Sequence, residues 1–205
     1  MKVAVWKLAL PVTVLMLALS VASRAGDEGS VQAKVQFCKD CHGPAAQGYH
    51  GYLTMPRLAG QTPEYIELQL RAFAERTRDR GLFINMARTH GLSPSMRSAL
   101  GTHFRSLNPA PLDAGPGSLS LGKTIYDDGL PESNVPACAA CHGPDAKGEG
   151  VIPRLAGQLY SYTAGQLSNW GRQRKNESGA IMEPIAHGLT KSQIAAVSAY
   201  LSRLK

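Results

Sequence analysis

The chain has 205 residues, 43% of them hydrophobic, and its 22 Lys and Arg residues against 15 Asp and Glu residues give a formal net charge of +7. This length suits one large domain or two small ones. No basic run is interleaved with aromatic residues, so the positive charge does not imply a nucleic-acid partner.

Residues 1–25 have the features of a cleavable export signal. Two lysines precede an apolar run of 15 residues, 8–22, and small residues follow it. A membrane-spanning helix needs about 20 apolar residues, so we expect cleavage after Ala22 or Ala25 and export to the periplasm; a retained membrane anchor is the alternative. Cleavage removes three basic residues and no acidic one, which leaves 19 against 15 and a net charge of +4.

Two C-x-x-C-H motifs stand a hundred residues apart, in "FCKDCHGP" (37–44) and "ACAACHGP" (137–144). Disulfides are common in exported proteins, but they do not explain a histidine directly after each cysteine pair. A zinc ribbon places its pairs about 15–20 residues apart, whereas 96 residues separate them here. The motif is typical of covalent haem attachment, with two thioether bonds and an axial histidine on the iron. We therefore predict two haem c groups, bound by Cys38, Cys41 and His42 and by Cys138, Cys141 and His142.

The sequence around the motifs is repeated. "CHGPAAQGYHGYLTMPRLAGQ" (41–61) matches "CHGPDAKGEGVIPRLAGQ" (141–158), with three extra residues in the first copy. A later "HGL" also recurs, and a segment rich in Pro and Gly lies between the copies. Such repeats mark repeated structural units. We expect an export signal at 1–25, one lobe at 26–107, a linker at 108–116 and a second lobe at 117–205.

The periodicity within each lobe is helical, and no strand pattern of period two occurs, so the predicted fold class is all-α. A lobe of about 85 residues is marginally stable alone, and a haem would supply an apolar centre. The middle helix of the first lobe is expected to open with Thr62 as its cap and Pro63 as its first residue. The other predicted helices cover 27–38 and 118–127 before the motifs, and begin after Ser93 and after Thr190, running to Leu107 and Leu204.

The sixth iron ligand is expected to be methionine in both lobes. Met182 lies in a stretch containing Gly and Pro, predicted to be a loop, 40 residues after the second motif's histidine. Met86 is one residue out of register with Met182 in the repeat. His90 and His187 are alternatives, Met55 is a weaker candidate, and Met96 is expected to be a packing residue in the last helix of the first lobe. A thioether opposite histidine raises the reduction potential, and two filled axial positions leave no site for substrate. We therefore predict outer-sphere electron transfer by a protein that is not an enzyme.

These motifs resemble the class I c-type cytochromes, and their tandem arrangement is similar to the dihaem cytochrome c4 family. The resemblance covers nearly all of the chain after the export signal. It implies two cytochrome c lobes, each wrapped around one haem c, that shuttle electrons in the periplasm, often toward a terminal oxidase, with transient docking on membrane complexes. It also implies that the carbonyls of Pro56 and Pro153 accept a hydrogen bond from the histidines that bind the iron.

Four arginines of the chain have further interpretations. Arg57 and Arg154, inside the repeated "PRLAGQ", are candidates for contacts with haem propionates, which guanidinium geometry suits; solvated surface arginines are the alternative. Arg71 and Arg78 belong to a cluster near the end of the first lobe's middle helix. Their positive charge complements the helix dipole, with a docking patch as the alternative.

Three functions remain open at this point. The chain is a freely diffusing dihaem electron carrier, or a dihaem subunit docked on a periplasmic dehydrogenase such as a flavocytochrome c. The third is a dihaem enzyme, a peroxidase or a thiosulfate dehydrogenase. That function needs one haem with an open position, and the register of Met86 is its only support.

Overall fold

The computed structural model describes residues 30–78, 91–112, 114–173 and 177–205, except for the side chains of 172–178. Within these ranges the chain is helical and contains no β-strand beyond isolated bridges. No helix there is long and apolar enough to cross a membrane. The all-α prediction is therefore confirmed. The predicted export signal and Met86 lie outside the described residues.

We call residues 30–107 lobe 1. Its described part contains three helices. Ser93 is the N-cap of the third helix, because its hydroxyl accepts a hydrogen bond from the backbone N–H of Met96 at 3.1 Å. The helices are α1, which covers 30–42, α2, Pro63–Ala74, and α3, Pro94–Arg105.

We call residues 117–205 lobe 2. A short 3₁₀ turn, Pro131–Ser133, stands between its first helix and its haem motif. Its last helix begins with a capping box, in which Thr190 and Gln193 bond each other's backbone N–H groups. The helices of lobe 2 are α4, Leu119–Asp128, α5, Ala139–His142, α6, Tyr160–Ser168, α7, Trp170–Gln173, α8, Glu177–His187, and α9, Lys191–Leu201.

The predicted starts of α2, α3 and α9 are confirmed, whereas the predicted start of the first helix at residue 27 lies outside the described residues. α3 and α9 follow Ser93 and Thr190 as expected, but they end two or three residues before the expected ends. Thr62 is the N-cap residue of α2, although its side chain makes no capping hydrogen bond. α1 was expected to end at residue 38 and instead continues to His42.

The loop predicted around Met182 is wrong, because that residue lies within helix α8. Gly179 and Pro184 both disfavour a helix interior. The helix tolerates Pro184 because the carbonyl that loses its partner is that of Ala180, an exposed residue that water can reach. Packing on α6 and α7 supports α8, and the indole N–H of Trp170 donates to the carbonyl of Gly179 at 2.7 Å.

Each lobe has its own apolar core. α2 packs on α3 in lobe 1, and α4 and α6 pack on α9 in lobe 2. Close helix crossing in lobe 2 requires Gly122, since a Cβ there would lie 2.2 Å from the carbonyl oxygen of Ala196. The core of lobe 1 contains Val35, Ala46, Ala59, Ile66, Leu100 and Phe104, and that of lobe 2 contains Ile125, Tyr126, Ala146, Ala156, Ala196, Val197 and Leu201.

Candidate haem sites

The first haem motif occupies the last turn of α1. Cys38, Cys41 and His42 stand at positions i, i+3 and i+4 of the helix, which places their side chains on one face. The helix ends at Gly43, whose φ of +88° is a left-handed conformation that favours glycine. A Cβ at Gly43 would lie 2.6 Å from the carbonyl oxygen of Gly48. The backbone therefore turns away directly behind the histidine.

His42 is held as a neutral imidazole with a defined tautomer. The ring is 2% exposed, and its Nδ1–H donates to the carbonyl oxygen of Pro56 at 2.7 Å. A carbonyl can only accept, so the proton is on Nδ1 and Nε2 keeps its lone pair. Burial lowers the pKa of His42, and the bond to Pro56 opposes this only in part. Nε2 is buried and has no hydrogen-bond partner among the described residues.

The second motif reaches the same geometry from a separate element. Its histidine ends α5, a helix of four residues that begins directly after Cys138. His142 is 7% exposed, and its Nδ1–H donates to the carbonyl oxygen of Pro153 at 3.0 Å. Burial lowers the pKa of this imidazole as well. Both prolines therefore bond the histidines that the resemblance assigned to them.

The four cysteines carry free thiols. Neither pair is joined by a disulfide. Burial raises the pKa of Cys38 to about 11, with a further contribution from Cys41, and burial raises that of Cys138 to about 11. Across the described ranges no cluster of three or more His, Cys, Asp or Glu side chains could hold a metal ion, so those residues offer no zinc site of that kind.

The residues of both motifs fit haem c. Each supplies two free thiols for thioether bonds and one imidazole whose Nδ1 is already bonded to a carbonyl. In lobe 1 the unpartnered Nε2 is the atom that binds iron in such a motif. A carbonyl bonded to the other ring nitrogen fixes the ring's orientation and raises its basicity as a ligand.

Arg57 and Arg154 are not surface arginines. They are 3% and 6% exposed, and each Nε donates to the carbonyl two residues ahead, Ala59 at 2.9 Å and Ala156 at 3.0 Å. Burial, with a contribution from Arg154, lowers the pKa of Arg57 to about 10. Arg57 also donates to the carbonyl of Pro109 at 2.8 Å. Nη2 of Arg154 is buried without a hydrogen-bond partner among the described residues.

Comparisons with known proteins agree with this geometry. The cytochrome c family model matches residues 119–205. A cytochrome c4 from Thiocapsa roseopersicina is 37% identical over 191 residues, covering 90% of this chain and 96% of that protein. The chain belongs to the cytochrome c4 family. It is a dihaem electron-transfer cytochrome with two haem c groups, and it is not the catalytic component of an enzyme.

Two further comparisons extend this result for the cytochrome. The solved cytochrome c4 of Acidithiobacillus ferrooxidans has a TM-score of 0.70 and 35% identity, covering 82% of this chain and 98% of that one. A protein named thiosulfate dehydrogenase electron acceptor, from Thiomonas intermedia (strain K12), is 34% identical over 173 residues. That match covers 80% of this chain and 77% of the relative.

Only some of the candidate sixth ligands of the cytochrome lie in the described residues. Met182 is half-buried in α8, whereas Met86 and His90 lie outside the described residues. His187 is exposed at the end of α8. Met96 packs against the core of lobe 1, as a packing residue would.

The two lobes of this cytochrome are in contact, which the sequence patterns did not indicate. Arg78 was assigned to the helix dipole, with a docking patch as the alternative, and the patch is wrong for this residue because its side chain is buried. Its Nη1 donates to Oε1 of Gln69 at 2.6 Å and its Nη2 to the hydroxyl of Tyr162 in lobe 2 at 2.7 Å. The guanidinium lies 4.5 Å from the ring centre of Phe73.

The two "PRLAGQ" segments also meet at this interface. Gln61 of lobe 1 and Gln158 of lobe 2 bond the backbone of the opposite segment. The exact repetition of six residues was the one sequence signal for this contact, because two matched segments can form a self-complementary interface. The sequence did not indicate that the two copies touch.

Proposed function

We propose that this cytochrome is a periplasmic carrier that passes single electrons between redox proteins, with one haem in each lobe. The proposal rests on the two buried imidazoles, each bonded through Nδ1 to a proline carbonyl behind a pair of free thiols. In this proposal the thiols of Cys38 and Cys41 hold one haem and those of Cys138 and Cys141 hold the other. Haem iron supplies one-electron chemistry.

The protein residues keep the iron ligands in place and exclude water. His42 and His142 are the proposed axial ligands, oriented by Pro56 and Pro153. Met86 and Met182 would supply the other iron ligand of each haem. With both ligands supplied by the protein, the iron would have no open position for substrate, and the haem would supply one-electron transfer.

The two buried arginines are proposed to contact haem propionates. Arg154 carries the stronger support, because its buried Nη2 is a charged donor without an acceptor among the described residues. Such a group is costly unless an anion or acceptor pairs with it. Arg57 already donates from three side-chain nitrogens to the carbonyls of Ala59, Pro109 and Ala110, so its support is its burial next to Arg154, which favours a nearby anion.

The location and domain boundaries belong to the same proposal. Export by the signal at 1–25 would bring the chain to the periplasm, where its haems are attached. We propose lobes at 26–107 and 117–205 joined by 108–116. The carbonyls of Pro109 and Ala110 accept hydrogen bonds from Arg57, so part of this linker lies against lobe 1. The electron acceptor is proposed to be a terminal oxidase, reached by transient docking.

Removal of each methionine tests the axial ligands. Met182→Ala and Met86→Ala are each expected to abolish the near-infrared methionine-to-iron band of one haem and to lower that haem's potential. Met96→Ala is the matched control, because Met96 packs in the core of lobe 1 and both bands should persist. A ligand assignment is wrong if its variant keeps both bands.

A second function is favoured by the similarity to the thiosulfate dehydrogenase electron acceptor. The cytochrome would then accept electrons as the haem-bearing partner of a periplasmic dehydrogenase. Size-exclusion chromatography of the natively purified protein distinguishes the two functions. Persistent co-elution with a catalytic subunit would replace the free carrier by this second function, and elution at the mass of the cytochrome alone would support the carrier.

A further inference from the structure

Each haem motif is connected by hydrogen bonds to the opposite lobe. In lobe 1, the peptide group that joins Pro56 to Arg57 makes two of them. Its carbonyl accepts from Nδ1–H of His42 at 2.7 Å, and its N–H donates to Oε1 of Gln158 in lobe 2 at 2.8 Å. One planar peptide group therefore stands between the histidine of one lobe and the glutamine of the other.

The same connection runs in the reverse direction. The peptide group that joins Pro153 to Arg154 accepts from Nδ1–H of His142 at 3.0 Å and donates to Oε1 of Gln61 in lobe 1 at 2.7 Å. Gln61 and Arg154 are 93 positions apart in the sequence, and Arg57 and Gln158 are 101 positions apart. The arrangement is reciprocal, because each lobe contributes one glutamine acceptor and one peptide N–H donor.

Both glutamine side chains are fixed in orientation. Nε2 of Gln158 donates to the carbonyl oxygen of Arg57 at 3.1 Å, and Nε2 of Gln61 donates to that of Arg154 at 3.0 Å. Each Oε1 also accepts from the backbone N–H of the next residue in its own lobe, at 2.9 Å for Gln158 and 3.0 Å for Gln61. Both side chains are buried. Their amide groups therefore cannot rotate without losing three hydrogen bonds.

Hydrogen bonds through one peptide group strengthen each other. An acceptor on the N–H moves electron density toward the carbonyl oxygen of the same group, which makes that oxygen a better acceptor. A better acceptor for Nδ1–H increases the basicity of the imidazole as an iron ligand. A more basic ligand stabilises the oxidised iron and lowers the reduction potential, because hydrogen bonding to the axial ligand is one of the protein's means of tuning it.

We propose that Gln158 is a positioning residue for the haem of lobe 1 and Gln61 for the haem of lobe 2. Each glutamine strengthens the opposite histidine's hydrogen bond to its proline carbonyl and thereby lowers the potential of the opposite haem. The inference rests on the proposed axial histidines. Its consequence is that contact between the lobes contributes to both potentials.

The test is a pair of substitutions in the full-length holoprotein, Gln158→Leu and Gln61→Leu. Leucine removes the acceptor while leaving an apolar group in a buried position. The potentials are measured for each haem separately by following haem-methyl NMR signals assigned to each lobe during a redox titration. Gln158→Leu should raise the potential of the lobe 1 haem alone, and Gln61→Leu that of the lobe 2 haem alone.

A second measurement reports the bond itself. In the reduced, diamagnetic protein, the Nδ1–H proton of His42 should move upfield in Gln158→Leu, while that of His142 stays in place. Ser161→Ala is the matched control, since it removes an inter-lobe hydrogen bond to Thr54, 3.1 Å long, without touching either peptide group. It should move neither potential. If Gln158→Leu does not fold, Gln158→Met is used in its place, because methionine keeps the length of the side chain.

The outcomes separate this inference from the proposed function. A shift in the substituted lobe's own haem, an equal shift in both haems, or no shift overturns the inference. A wild-type spectrum that lacks two histidine-bound haems overturns the proposed ligands instead. A potential that rises only across the interface supports the inference, because local damage to a lobe would act on the haem of that lobe.

Discussion

The two lobes are alike where they hold the histidine and differ in how they arrive there. The turns after the motifs have the same hydrogen bonds in both lobes, and both contain an alanine with positive φ, Ala46 and Ala146. The matching bonds run from Gly48 N to His42 O and Gly148 N to His142 O, from Ala59 N to Ala46 O and Ala156 N to Ala146 O, and from Gly60 N to Phe104 O and Gly157 N to Leu201 O.

The approach to the motif is the main difference. In lobe 1 a single helix, α1, runs into the motif and carries all three of its functional side chains. In lobe 2 α4 ends at Gly129, and a bridge between Leu130 and Val135 precedes the separate helix α5. A Cβ at Gly129 would lie 2.5 Å from the carbonyl oxygen of Val135. The comparison teaches that the geometry around each histidine is set by the turn behind it and tolerates different supports in front.

The largest expected effect is the loss of one covalent haem when the two thiols of one lobe are removed. Replacing Cys38 and Cys41 by Ser should leave one covalent haem per chain, and so should replacing Cys138 and Cys141, because each pair attaches its own haem. Haem stoichiometry and the mass of the denatured chain measure this. Two covalent haems in either variant would show that the motifs do not act independently.

Core truncation tests whether the lobes unfold together. Phe104 is buried in lobe 1, and Phe104→Ala should lower the free energy of unfolding by about 3–5 kcal/mol, since it loses burial and leaves a cavity. Guanidinium unfolding followed by circular dichroism and haem absorbance measures the change. Tyr52→Ala is the control, because Tyr52 is 100% exposed in the same lobe. Separate transitions, with only one of them shifted, would show that the interface does not make the lobes one cooperative unit.

Loss of Arg78 should weaken the contact between the lobes. Arg78→Met removes a buried hydrogen bond to Gln69 and a partly buried one to Tyr162, and should cost about 1–3 kcal/mol of stability. Arg71→Met in the same basic cluster is the control, because its ion pair with Glu75 is exposed and 4.0 Å long. Equal effects of the two substitutions would contradict the role given to Arg78.

The smallest expected effect is a difference in acid sensitivity. Burial, with a contribution from Lys39, lowers the pKa of His103, and Nε2 of this residue is buried without a hydrogen-bond partner among the described residues. The unfolded chain therefore binds this proton more readily, so stability is lost as pH falls through about 6.5 and below. The repeat places Tyr200 at the matching position in lobe 2, so lobe 2 has no histidine there.

His103→Gln is accordingly expected to flatten the pH dependence of unfolding between about pH 5 and 7. Urea unfolding midpoints measured across this range, with wild type as the reference, test the expectation. A variant that remains as sensitive to acid as wild type would place the titrating group elsewhere.

Local signals were sufficient for much of this protein. The two C-x-x-C-H motifs, the repeat and the caps at Ser93 and Thr190 predicted the cofactor, the two lobes and the helix starts. The motifs and the caps depend on residues a few positions apart, and the repeat is visible as two matching stretches, 41–61 and 141–158. The resemblance to cytochrome c4 added the bonds from Pro56 and Pro153 to the histidines, which the structure contains.

Tertiary structure decided what depends on distant residues. Helix α8 forms despite Gly179 and Pro184 because packing against its neighbours outweighs local propensity. Arg78 is buried and bonds Tyr162 of lobe 2, and the amide of Gln158 bonds a backbone 101 residues away. No periodicity or spacing encodes the position of one lobe against the other. Burial and hydrogen bonds across that surface follow only once both lobes are folded and in contact.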